Sequence, residues 1–251
     1  MSSFRKTIAR AVGYVSRRFA PWETFLPEAS AEEAAVIREV RPFTMTSPER
    51  LQGLLTAVRY VVANRLPGAI VECGVWKGGS MMAAARTLLN LNCRDRDLYL
   101  FDTFAGMTAP TAKDGSRFDG KAPQESYSEM KAEDGSCRWC FSSLEETRRN
   151  VLSVGYPEPK IHLVKGPVEQ TIPGQAPEQI ALLRLDTDFY ESSKHEMVHL
   201  FPRLVPGGVL LLDDYGHWDG QRLAVDEYLA ENNVRLLLNR LDYTGRIGVK
   251  A

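Results

Sequence analysis

The sequence predicts a doubly wound α/β fold with a mostly parallel sheet, on three observations. Short apolar runs alternate with segments of helical periodicity, the pattern of parallel strands joined by crossover helices. Several of these runs stop at an acidic residue, and ligands of such sheets bind outside the carboxyl ends of the strands. A glycine-rich turn follows the first run and opens a helix.

Taken in order, residues 1–65 read as an N-terminal helical arm and cap, and residues 66–251 as the body, the two forming one compact unit. Arg5, Lys6, Arg10, Arg17 and Arg18 precede the first acid, Glu23. Residues 1–20 are therefore a solvated basic arm or, alternatively, an amphipathic helix in weak contact with a membrane surface. Thr46-Ser-Pro-Glu49 is a helix entry: Ser47 caps, Pro48 suits the first turn, and Leu51, Leu54, Leu55, Val58 and Val62 recur at helical spacing. Pro67-Gly68 ends that helix, and Ala69-Ile-Val71 leads through Glu72-Cys-Gly-Val-Trp-Lys-Gly-Gly-Ser80 into a helix from Met81. Further strands are expected at Leu98–Phe101, Lys160–Val164, Ile180–Leu185 and Gly208–Leu212. Helical patterns surround Met197 and Leu200 and run through Ala224, Val225 and Tyr228. Val234–Leu238 and Arg246–Val249 suit an antiparallel edge pair. Between Thr103 and Phe141 lies a long polar stretch rich in Gly, Pro, Ser and Asp, the expected substrate lid. Its Phe104, Phe118, Tyr127 and Trp139 either stack on a ligand ring or pack on the body.

Composition narrows the partners. Lys and Arg number 31 against 32 Asp and Glu, so no basic field suggests nucleic acid. There is no apolar run of about 18 residues that could span a membrane. The N-terminus lacks the apolar core of a secretion signal, so a cytoplasmic location is expected. Cys137 and Cys140 form a lone CxxC pair with no second pair for zinc, and are expected to be ordinary reduced thiols.

The strand ends carry the chemistry. Glu72, Asp102, Asp186 and the Asp213-Asp214 pair would gather on one edge, which is costly without cations or donors. The first turn is neither a P-loop nor a dinucleotide fingerprint. With a carboxylate at Asp102 able to accept ribose hydroxyls, it suits an adenosine-containing ligand lacking a pyrophosphate. Asp186, Asp213 and Asp214 suggest a hard cation such as Mg²⁺. His217, just beyond the aspartate pair, is the histidine placed to reach such a site.

Val71-Glu-Cys-Gly-Val-Trp-Lys-Gly-Gly-Ser80, Leu100-Phe-Asp-Thr-Phe104, Leu183-Arg-Leu-Asp-Thr-Asp-Phe-Tyr-Glu191 and Gly207-Gly-Val-Leu-Leu-Leu-Asp-Asp-Tyr-Gly216 resemble the macrocin, mycinamicin and novobiose sugar O-methyltransferases. Thr44-Met-Thr-Ser-Pro-Glu-Arg50 and Ala224-Val-Asp-Glu-Tyr228 extend the likeness over residues 42–250. The resemblance implies a Rossmann-like class I methyltransferase fold with a seven-stranded sheet, S-adenosylmethionine (SAM) as donor, Mg²⁺, and a sugar-containing small-molecule acceptor. It implies that Glu72, Gly74 and Ser80 line the methionine end of SAM, that Asp102 binds its ribose, and that Met45 and Thr46 close over it. Asp186, Asp213 and Asp214 would hold the metal, and a homo-oligomer is expected.

A sugar hydroxyl must lose its proton to attack the methyl, and Asp186 or Asp188 is the expected base. The resemblance favours Asp186, whereas strand alternation would turn Asp188 the other way. Alternatives are a phenolic or lipid-linked acceptor and a SAM-binding regulatory protein without turnover.

Overall fold

The computed structural model describes residues 26–251. Residues 1–25 lie outside the described residues, and with them the expected membrane-surface contact of residues 1–20. Helices α1 (Ala31–Val40) and α2 (Pro48–Ala63) precede strand β1 (Ala69–Cys73), helix α3 (Gly79–Asn90) and strand β2 (Leu98–Asp102). The long connection that follows carries α4 (Pro123–Met130) and leads to α5 (Leu144–Leu152). Then come β3 (Ile161–Lys165), α6 (Val168–Thr171), β4 (Ile180–Leu185), α7 (Tyr190–Leu200), β5 (Leu204–Leu212), α8 (Asp219–Glu231), β6 (Asn239–Arg240) and β7 (Arg246–Val249).

These strands form one seven-stranded sheet in the order β3-β2-β1-β4-β5-β7-β6. The first five are mutually parallel, and β7 runs antiparallel to both β5 and β6. The order reverses at β1 and β4, so a crevice opens where their following turns diverge to opposite sides. Strand alternation divides the core in two. Ile70, Leu98, Leu100, Leu182, Val209 and Leu211 pack under α1, α2, α3 and α5. Val71, Cys73, Phe101, Leu183, Leu185, Leu210 and Leu212 pack against Met197 and Leu200 of α7 and Val225 and Tyr228 of α8. Each buried strand is apolar on both faces because helices cover both.

Local chemistry starts the helices. The Ser30 hydroxyl accepts from Glu33 N–H while the Glu33 carboxylate accepts from Ser30 N–H, a reciprocal cap on α1. Ser47 caps α2 by accepting from Arg50 N–H at 3.2 Å, with Pro48 in the first turn. No helix among the described residues is long and apolar enough to cross a membrane.

The chain departs from expectation at its end. Val234–Leu238 is not a strand; the antiparallel partner of β7 is the two-residue β6. Leu236 and Leu238 are partly buried against the core while Leu237 stays exposed, so the alternation is real but the segment pairs with no strand among the described residues. β5 also begins earlier than its apolar run, at Leu204.

Candidate active site

The crevice is a cavity of about 360 Å³ walled by the turns after β1, β2, β3, β4 and β5, by the lid, and by the entry to α2. Met45, Thr46, Gly74, Ser80 and Asp102 all line it, as do Asp186, Asp188, Asp213 and Asp214.

The turn after β1 depends on Gly74. Its φ is +80°, and a Cβ there would collide with the backbone carbonyl of Asp186. Asp102, at the end of β2, holds this turn from the side. Its Oδ2 accepts from Val75 N–H (2.7 Å) and Trp76 N–H (3.0 Å), and its Oδ1 accepts from Phe104 N–H (2.7 Å). Burial raises the Asp102 pKa, against the pull of these donors. Among the described residues the only other group on Oδ1 is the Thr103 hydroxyl at 3.4 Å, so this oxygen keeps capacity for a further donor.

Glu72 does not line the cavity. It is 1% exposed, on the strand face that also carries Ile70, beneath the cavity floor. There it pairs with Arg184, its register neighbour on β4. Burial pushes the Glu72 carboxyl up to about 8 in spite of that cation. The expectation that Glu72 touches a cofactor is corrected to a role in the floor.

Arg184 organises the rest. One of its nitrogens, Nη1, donates to Glu72 and to Asp186 Oδ2 (2.6 Å); Nη2 donates to Asp213 and to the Thr46 hydroxyl (2.8 Å). A wholly buried guanidinium thus ties β1, β4, β5 and the α2 entry together. Burial works against its charge, but Asp186 and Glu72 outweigh that and raise its pKa. Arg184 escaped the site expectation above, although a cation inside the apolar run Ile180–Leu185 was a visible signal.

Asp213 is also engaged by Arg50 of α2, which reaches Asp242 as well at 3.1 Å. Its carboxylate is therefore neutralised by two guanidiniums. In this structure Asp213 is engaged in these ion pairs and stands outside the converging cluster. The carboxylates that converge are Asp186, Asp188 and Asp214, each offering an oxygen within 4.8 Å of the others. Asp188 was expected to turn away. It does not, because its φ of +65° breaks the strand alternation and returns the side chain to the cluster. Among the described residues, Asp214 Oδ2 is buried without a hydrogen-bond partner. Burial and the charge of Asp186 push Asp188 up to about 7; burial and the charge of Asp188 raise Asp214 well above the carboxylate range. Like charges this close need a cation or shared protons.

On the lid side, Trp139, Phe189 and Trp218 form a tilted aromatic cluster with centroids 5.4–6.1 Å apart. Phe104 is buried, Tyr127 carries the Lys131 ammonium over its ring, and Phe118 stacks on His217. The four lid aromatics therefore split between packing and the cavity.

A sequence profile of the macrocin O-methyltransferase (TylF) family matches residues 17–247. The chain belongs to that family. It is 30% identical over 202 residues to a demethyldecarbamoylnovobiocin O-methyltransferase of Streptomyces niveus, covering 80% of this chain and 73% of that one. It is 31% identical over 202 residues to an 8-demethyl-8-(2,3-dimethoxy-alpha-L-rhamnosyl)-tetracenomycin-C 4'-O-methyltransferase of Streptomyces olivaceus, again covering 80% and 73%. The solved O-methyltransferase NovP superimposes with a TM-score of 0.71 at 29% identity, covering 83% of this chain and 82% of that one. A macrocin-family chain of this fold is an O-methyltransferase.

Proposed function

We propose that this family member moves the methyl of SAM to a hydroxyl of a sugar-containing small molecule with the help of Mg²⁺. The carrying observation is the convergence of Asp186, Asp188 and Asp214 in the cavity that the Gly74 turn opens. The rhamnosyl acceptor named for the Streptomyces olivaceus relative supports a sugar hydroxyl.

The residues present fit both groups. The Cβ-free turn at Gly74, the free capacity of Asp102 Oδ1 and a cavity of about 360 Å³ suit an adenosine-bearing donor. Met45 and Thr46 close one wall, and Gly74 and Ser80 another. The unpartnered, buried Asp214 Oδ2 suits a hard cation, with Asp186 as its companion ligand. When bound, SAM supplies a methyl already activated by its sulfonium, and Mg²⁺ supplies positive charge beside the oxygen that loses its proton.

The remaining work falls to the chain. Arg184 holds one Asp186 oxygen and so fixes its orientation and occupies that oxygen. Asp188, pushed up to about 7, is the carboxylate matched to accept the hydroxyl proton near neutrality. The base is thus assigned to Asp188 rather than Asp186. Trp139 and Trp218 border the same space and exclude water from it.

The test is mass-spectrometric detection of methyl transfer to a panel of rhamnosides and phenols, with SAM affinity measured by calorimetry. Asp188→Asn should lower kcat by about 100-fold or more on a rhamnoside while SAM affinity stays unchanged. Transfer by that variant at the unsubstituted rate would remove Asp188 from the mechanism.

A further inference from the structure

Thr187 stands between Asp186 and Asp188, and its hydroxyl is turned to helix α7. There it lies 3.0 Å from Glu196 Oε1 and 3.1 Å from Glu196 Oε2. Glu196 is fully buried, at 0% exposure, and the Cys73 thiol at the end of β1 is within hydrogen-bonding reach of it. The methyl-transfer reading gives this carboxyl no part. Burying it costs free energy that an apolar side chain at the same place would not cost. Burial first, and then the charges of Glu169 and Asp186, raise its pKa well above the usual carboxylate range. A group so placed serves as a hydrogen-bond partner rather than as a charge.

What Glu196 holds is an unfavourable turn. Asp188 has a φ of +65°, and across it Phe189 N–H donates to the Thr187 carbonyl at 2.7 Å. A three-residue turn with a left-handed, non-glycine centre is rare and strained, and persists only where its surroundings hold it. This one brings Asp188 back to Asp186 and Asp214. Upstream, the backbone is already fixed: Asp186 N–H donates to the Cys73 carbonyl at 2.9 Å, and Gly74 packs on the Asp186 carbonyl. Downstream, Ser192 Oγ donates to the Phe189 carbonyl at 3.1 Å in the first turn of α7. Between these two anchors, the Thr187 hydroxyl is where α7 takes hold of the turn through a side chain.

We propose that Glu196 is a positioning residue for methyl transfer: through the Thr187 hydroxyl it holds the turn that presents Asp188 to the acceptor hydroxyl. The proposal rests on the reading of Asp188 as the base; the grip on the turn does not depend on that reading.

Glu196→Leu removes the contact from one side and Thr187→Val from the other. Each should lower kcat on a rhamnoside about tenfold or more, with affinity for S-adenosylhomocysteine within about threefold of the unsubstituted protein. The double variant replaces both partners by apolar groups, so its urea midpoint should return towards the unsubstituted value. Its kcat should stay where either single substitution left it. Glu196→Gln keeps the shape and an acceptor for the hydroxyl, and should hold kcat within about threefold. Amide exchange at Phe189 should quicken in Glu196→Leu and not in Glu196→Gln. An undiminished kcat or unchanged Phe189 exchange in Glu196→Leu would overturn the proposal. So would a double variant whose kcat recovers with its stability, single losses that multiply in it, or a Gln variant as impaired as the Leu one. Should the unsubstituted protein methylate no acceptor, the methyl-transfer reading fails instead, and exchange at Phe189 decides whether Glu196 holds the turn.

Discussion

Arg184 sits where the physics of burial and of charge meet. Removing its guanidinium would leave Glu72, Asp186 and Asp213 facing one another with Arg50 as the remaining cation in direct contact, on Asp213. Arg184→Leu should therefore cost about 3–5 kcal/mol of unfolding free energy in urea titration, because a buried anion is left uncompensated. Arg184→Lys keeps the charge but lacks the planar fork that reaches β1, β4 and β5 together, so it should restore part of the stability and little of the activity. Neither Arg184 nor Arg50 was assigned a role from the sequence, since pairing across strands depends on register. Asp188 illustrates the same limit, because a left-handed backbone at a non-glycine residue has no signature in composition or periodicity.

At the scale of elements, strands followed by acids were readable because both strand faces are buried and the runs are short. The closing segment was not, because alternation in Val234–Leu238 describes burial against the core and says nothing of a hydrogen-bonding partner. Nor did the lid's internal order show in its polar sequence. It is held by Asp114, 2% exposed, whose Oδ2 accepts from Thr111 N–H at 2.7 Å and whose Oδ1 accepts from Tyr190 N–H at 2.7 Å. One carboxylate thus closes a lid turn and caps α7 from outside the helix. Asp114→Ala should lower stability by about 1–2 kcal/mol and speed proteolysis between residues 103 and 143, with α7's first turn losing hydrogen-exchange protection.

Across the whole molecule, the carboxyls raised by burial set the response to pH. Asp188 is pushed to about 7 and Glu72 to about 8, and Glu196 stands well above its usual value. The folded state then binds more protons than the unfolded chain between the ordinary carboxylate range and about 8. Stability from these groups is fully present at low pH within that window and is lost as pH rises through 7–8. Without divalent ions, the thermal midpoint should be higher at pH 6 than at pH 8. Added Mg²⁺ should narrow the gap, because a cation beside Asp186 and Asp214 replaces the protons. A gap indifferent to Mg²⁺ would argue against an ion at that cluster.

The acidic wall of the cavity has one more outcome, for turnover. The donor arrives with a positive sulfur and departs as a neutral thioether, so the ionised carboxylates among the acids lining the cavity favour the fresh molecule over the spent one. Affinity for the charged form should weaken as ionic strength rises while that for the thioether stays nearly flat, and the catalyst clears its own by-product best in dilute salt.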